Sequence, residues 1–283
     1  MLRTDLLEKA MRPTILGIIG CGAMGRLIAL HVREQLPSYR LGGFFSRTSA
    51  HAEALARELG EVPVLALQQL IESCDVLVEA ASAAAMPDIV RACLAAGKDV
   101  VPLSVGGFAL DPELLHDVET ARASVHVPSG AIAGLDGIRA MREMGLDAVT
   151  LTTVKHPRSL GQIPPLAELA PPSAEEASIV SSEARLLFSG TAEEAIRRFP
   201  ANVNVAVSLG LAGLGFSRTQ VRLLADPCAA GTLHHISARA GDCTLETIIR
   251  PAPLPQNPRS SALAMHSVPA LLRGLSANPK VAG

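Results

Sequence analysis

Residues 14–25 read TILGIIGCGAMG. An apolar run, Ile15 to Ile19, enters Gly20-x-Gly22-x-x-Gly25, and a helical pattern continues from Ala23 to about Gln35. Strand, glycine turn and helix in that order predict the opening of a dinucleotide-binding fold. Each glycine has its own physical task. Gly20 makes the tight turn, where φ is free to be positive. Gly22 leaves the backbone bare for a pyrophosphate, and Gly25 lets the helix lie close against the strand. The helix offers the N–H groups of its first turn, at Ala23, Met24 and Gly25, and the positive end of its dipole to phosphate oxygens.

The alternation continues outward from that turn. Residues 40–45, 75–80, 99–104 and 124–129 read as strands, and 49–59, 85–96 and 111–122 as helices. Strands alternating with helices of this length predict an α/β fold, a Rossmann-type doubly wound parallel sheet. In such folds a carboxylate roughly 20 residues beyond the glycines accepts from the ribose hydroxyls of NAD. Here the second strand ends in Ser46-Arg47 with no acid. An arginine beside a small hydroxyl suits a 2′-phosphate, so Arg47 points to NADP, with NAD as the alternative.

After Ser129 the pattern changes. Residues 134–143 read as a helix and LDAVTLTTVKHP (146–157) as a long alternating strand. Pro157, Pro164, Pro165, Pro171 and Pro172 mark a loop over 158–178. Strands follow at 184–190, 219–225, 231–239 and 243–250, with helices at 191–198 and about 202–214, and a last helix at roughly 260–274. Adjacent strands with short connections predict a second, α+β domain with a mostly antiparallel sheet.

Composition narrows the function classes. Hydrophobic residues make up 48% of the chain but aromatics only 2%, with no Trp and Tyr39 as the single Tyr. The core is therefore aliphatic, and a surface that stacks nucleic-acid bases is not expected. The formal charge of −2 gives no basic footprint for a phosphate backbone. Five cysteines, an odd number without a C-x-x-C, argue against a disulfide framework or a zinc site and for buried reduced thiols in a cytoplasmic protein. The start, MLRTDLLEKAMRP, carries charges where a signal peptide needs its apolar stretch, and the apolar region 14–32 is broken by glycines and Arg26. The expected partner is a small molecule, not nucleic acid or membrane.

GTLHHIS (231–237) places two histidines side by side in a predicted strand. Period two puts His234 on the face of Thr232, Ile236 and Ala238, and His235 on that of Leu233, Ser237 and Arg239. The first face is the more apolar, so His234 points inward and His235 is expected at the surface. A buried imidazole is either a hydrogen-bonded core residue or a functional one, and the pattern alone leaves both open.

Taken together, GIIGCGAMG (17–25), SGAIAGLD (129–136), FPANVNVA (199–206), LAGLGFSRTQVRLLADP (211–227), LHHI (233–236) and NPRSSALAMHSV (257–268) resemble the L-aspartate dehydrogenase family over nearly the whole chain. The resemblance implies a dinucleotide-binding domain over 1–133, a substrate and dimerisation domain over 134–256, and a C-terminal helix within 257–283 that packs back on the first domain. It implies reversible oxidative deamination of L-aspartate to oxaloacetate and ammonia with NAD or NADP. The route runs through iminoaspartate, which could also supply NAD biosynthesis, in a cytoplasmic homodimer.

The family's catalytic histidine aligns with His234, where an imidazole acts as general acid and base. Its cofactor contacts outside the glycine turn align with Ala131 and Asn204; Asn202 is then the expected helix cap. The two carboxylates of aspartate call for cations. Lys155, at the end of a strand, ranks ahead of Arg158, Arg218 and Arg259. Where the family reads K-P-P or similar, this chain has Lys155-His156-Pro157, and its proline-rich loop looks longer. Two other readings compete. One is another two-domain NAD(P)-dependent dehydrogenase acting on a small hydroxy or amino acid, a sugar or an inositol. Sugar and inositol oxidoreductases show a Glu-Lys-Pro after the fifth strand, whereas VPLSVGG (101–107) holds no lysine. The other is a non-catalytic NAD(P)-binding sensor.

Overall fold

The structure is a computed structural model that describes residues 12–60, 62–199, 204–255 and 257–277. Asn202 and the side chain of Arg259 lie outside the described residues. The described residues separate into two compact units, one holding those of 12–128 together with 265–277, the other those of 129–264.

In the first unit β1 (Thr14–Ile19), β2 (Tyr39–Phe45), β3 (Val76–Glu79) and β4 (Asp99–Pro102) form a sheet in the order β2-β1-β3-β4. Every pairing in it is parallel. β3 is buried at all of its residues, as expected of a parallel strand covered on both faces. Helices Ala23–Gln35, Ser49–Glu58, Met86–Ala95 and Glu113–Thr120 provide the crossovers. Leu67–Ser73 adds a helix that the sequence pattern did not suggest. Leu16, Ile18, Ile28, Leu77 and Val78 form part of an aliphatic core. The hydroxyl of Tyr39 donates to the Leu272 carbonyl at 2.7 Å, tying the last helix, Ala262–Ser276, to this unit.

The segment 124–129 is not a strand, contrary to expectation. It makes one parallel bridge, Val100 with Val125. The Val100 N–H donates to Ser124 O, and the His126 N–H donates to Val100 O. The next two rungs would need N–H groups from Pro102 and Pro128, and proline has none. The ladder therefore stops after one residue.

In the second unit the sheet order is β6 (Arg185–Thr191), β7 (Gln220–Ala225), β5 (Ala148–Lys155), β8 (Leu233–Ala240) and β9 (Cys243–Ile249). Only β5 and β7 pair in parallel; the other pairings are antiparallel. Helices Leu135–Glu143, Ala192–Arg198 and Asn204–Ala212 join one face of the sheet in a core that includes Ile138, Leu151, Leu209, Leu223 and Ile236. A short hairpin, β10 (Pro253–Leu254) with β11 (Asn257–Ser261), leads into the last helix. The loop after β5 folds into short 3₁₀ turns at Pro157–Ser159, Leu166–Glu168 and Glu176–Ser178.

All five cysteines are free. Cys21, Cys74 and Cys93 are buried as expected, but Cys228 and Cys243 are exposed. Burial pushes the Cys93 thiol up to about 12 and that of Cys21 up to about 11, so both stay protonated and inert. Among the described residues no helix is long and apolar enough to cross a membrane, and no cluster of His, Cys, Asp and Glu could hold a metal ion.

Candidate active site

The glycine turn separates fold requirements from a possible ligand requirement. Gly20 has φ +98°, and a side chain there would meet the backbone of Ala80 and Ala81. A Cβ at Gly25 would run into the Gly20 carbonyl oxygen. These two glycines are demanded by the fold itself. Gly22 is different, with φ −71° and open space where its Cβ would stand. Nothing in the chain requires glycine at 22. A phosphate group approaching the bare backbone does account for it. Gly22 precedes a helix that no side chain caps and whose first turn carries no acid. Its first N–H groups, at Ala23, Met24 and Gly25, suit an anion. The residues present therefore fit a dinucleotide.

The neighbouring strand ends converge on the same turn. The Gly20 N–H donates to Phe45 O at 2.7 Å, which fixes the end of β2 beside the turn and carries Arg47, exposed, just beyond it. Sequence reading passed over Glu79. It is fully buried at the end of β3, and its carboxylate accepts from the N–H groups of Ala81 at 2.7 Å and Ser104 at 3.1 Å. Burial raises the pKa of Glu79, and these backbone donors oppose that rise. Glu79 thereby joins the loops after β3 and β4, and Ala80 and Ala81 abut Gly20. The one available signal was an acid closing a four-residue apolar strand.

In the second unit β5 and β8 pair so that Thr153 lies opposite His234. His234 is 6% exposed, and its Nδ1 lies 3.0 Å from the Thr153 hydroxyl. That contact occupies one ring nitrogen, Nδ1, and leaves Nε2 outside it. Burial, then the Lys155 ammonium, push the imidazole down from 6.5 to about 4. Burial also lowers the pKa of Lys155, which stands two residues beyond Thr153 and so on the same face. Asp226 holds the end of β7 next to Lys155. Its backbone N–H donates to Lys155 O, while its carboxylate accepts from the hydroxyl and N–H of Ser181 and the N–H of Cys228. Burial would raise this carboxyl, but those donors outweigh it and hold it below its usual range.

Ala131 sits in a turn between Gly130 and Gly134, both with positive φ, directly before helix Leu135–Glu143. Asn204 opens helix Asn204–Ala212. Arg158 and Arg218 are exposed. Within the second unit the structure thus brings His234, Thr153 and Lys155 together. Within the first it brings together the glycine turn, the end of β2 and Glu79.

His235 departs from expectation. It faces away from His234, but it is buried, at 7% exposure. Its neighbours on that face are covered by the loop that follows β5, which a period-two reading of one strand cannot show.

Comparison with known proteins supplies the lineage. Residues 136–275 match the aspartate dehydrogenase C-terminal domain family, and residues 20–128 match the NAD-binding domain family of homoserine dehydrogenase. The chain is 38% identical over 268 residues to an L-aspartate dehydrogenase of Methanothermobacter thermautotrophicus, covering 93% of this chain and 96% of that one. It is 35% identical over 267 residues to L-aspartate dehydrogenase 3 of Bordetella bronchiseptica, covering 93% and 96%. The crystal structure of aspartate dehydrogenase from Thermotoga maritima has the same fold, with a TM-score of 0.72 at 24% identity over 95% of this chain and 99% of that one. Sequence, domain content and fold agree: the chain belongs to the L-aspartate dehydrogenase family of oxidoreductases.

Proposed function

We propose that this chain oxidises L-aspartate to iminoaspartate with NADP or NAD and hydrolyses the imine to oxaloacetate and ammonia. The observation that carries the reading is a buried imidazole, pinned at Nδ1 by Thr153 and set beside the Lys155 ammonium, in a chain so similar to L-aspartate dehydrogenases.

When bound, the nicotinamide supplies an acceptor for the hydride that leaves Cα. Gly20, Gly22, Ala23, Met24 and Gly25 would cradle its pyrophosphate. Arg47 would meet the adenosine ribose or its 2′-phosphate, and Ala131 and Asn204 the nicotinamide side. His234 Nε2 takes the proton of the substrate ammonium, freeing the nitrogen lone pair that expels the hydride. The imidazolium releases that proton to solvent, and the neutral ring then takes a proton from the water that adds to the iminium carbon and passes it to the nitrogen. Ammonia departs as the carbonyl forms, and the remaining hydroxyl proton goes to the leaving ammonia, giving ammonium. Lys155 pairs with a substrate carboxylate. The carboxylates of the bound diacid favour the imidazolium and raise the His234 pKa from its substrate-free value. The same reading makes iminoaspartate available to NAD biosynthesis. It also makes the protein a homodimer, in a reducing cytoplasm that suits its free thiols.

The test follows formation of the reduced nicotinamide by its near-ultraviolet absorbance. L-aspartate, L-alanine, L-glutamate and a set of 2-hydroxy acids are supplied with each cofactor in turn. L-aspartate alone is expected to support turnover. Preferred oxidation of a hydroxy acid overturns the reading, as does cofactor binding without turnover of any amino acid.

A further inference from the structure

The neighbour of His234 opens on a second site. On the opposite face of the sheet, β5 and β8 place Thr152 against His235 and Thr150 against Ser237. These four side chains share one face and floor a cavity of about 340 Å³. At ~30 Å³ per water, that volume admits a molecule of roughly ten non-hydrogen atoms. Glu175, Glu176 and Arg222 also line it.

Two observations point to a ligand. The first is His235 itself, whose Nε2 is buried and has no hydrogen-bond partner. Native folds rarely leave such an atom unpaired. The second is the wall's charge. Arg222 donates to both oxygens of Glu176 at 2.5 and 3.0 Å and to the Ser189 hydroxyl at 3.2 Å. Glu176 also accepts from the Ser173 N–H, and the charge of Glu175 acts on Arg222 as well. Two carboxylates against one guanidinium leave the wall with one negative charge in excess, and Glu175 lines the cavity from the exposed loop. The hydroxyl oxygens and the Glu175 carboxylate are acceptors, and the neutral imidazole can also accept. An anion would meet the surplus carboxylate, whereas a protonated amine supplies donors and the opposite charge.

We propose that this chamber binds a small protonated aliphatic amine, held by Glu175 and by the hydroxyls of Thr150, Thr152 and Ser237, with His235 accepting one of its N–H bonds. The occupant would lie back to back with His234 across the same two strands, and the proposal is independent of the reaction assigned there.

The test uses the full chain with 1,4-diaminobutane as probe, by titration calorimetry and by the imidazole nitrogen resonances of His235. Inorganic phosphate and malonate serve as anionic counterparts. The diamine is expected to bind and to shift the His235 Nε2 resonance. Glu175→Gln, an exposed position, should weaken binding about tenfold through loss of a charge-assisted contact, and Thr152→Val should weaken it similarly. L-aspartate turnover in Glu175→Gln should match the parent. The proposal is overturned if the diamine does not bind, or binds equally to parent and Glu175→Gln. It is also overturned if the anions shift His235 in its place, or if a crystal structure shows a second copy's side chain filling the chamber.

Discussion

Burial, a threonine hydroxyl and a lysine ammonium act on the His234 imidazole. Thr153 contacts the ring at Nδ1, while burial first and then Lys155 disfavour its charged form. Thr153→Val removes one hydrogen bond, worth ~1 kcal/mol, and should lower kcat roughly five- to tenfold. Thr153→Ser should restore it, as loss of shape alone would not allow. Lys155→Met should raise the acid limb of kcat/KM above about 4 but leave it below 6.5, because burial, the larger cause, remains when the neighbouring charge is gone. It should also raise KM for the diacid; a pH profile measured with both variants checks these outcomes. Stability follows the same sign. The folded imidazole is depressed below its unfolded value, so the stability tied to its neutral form is present above pH 6.5 and lost as pH falls towards about 4. Thermal melts across that window should show this loss in the parent and a smaller one in His234→Asn.

At the scale of elements, the glycine turn makes a sharp contrast. Gly20→Ala forces a side chain into a left-handed backbone, costing about 1–2 kcal/mol before any collision with Ala80 is counted. It should lower the melting temperature with or without cofactor. Gly22→Ala enters open space and should leave the melting temperature unchanged, while weakening cofactor binding by at least about tenfold. Fluorescence titration of the reduced cofactor distinguishes the two. This turn was legible in the sequence because its constraints are local: spacing, φ and the strand before it. The second unit's strands were legible too, since period two survives in LDAVTLTTVK and LHHISARA. What escaped reading was non-local. The end of the 124–129 ladder depends on Pro128 meeting Pro102, which lies on β4 more than 20 residues earlier. The burial of His235 depends on a loop more than 50 residues away, and Glu79 matters through N–H groups on two separate loops.

Across the whole molecule, each unit has its own sheet and core, and the proposed reaction draws on the glycine cradle of the first and on His234 and Lys155 of the second. Cofactor binding should stabilise the fold by mass action, by ~2.7 kcal/mol at a hundred times Kd. That gain should survive in His234→Asn and be much reduced in Gly22→Ala, as calorimetric melts with and without cofactor will show.

The most direct measurement is a single-turnover reduction of the bound nicotinamide by L-aspartate, comparing the parent with His234→Asn at equal cofactor occupancy. The account predicts that the variant binds cofactor as the parent does and loses the chemical step by at least about a hundredfold. Near-parental reduction in the variant would contradict it.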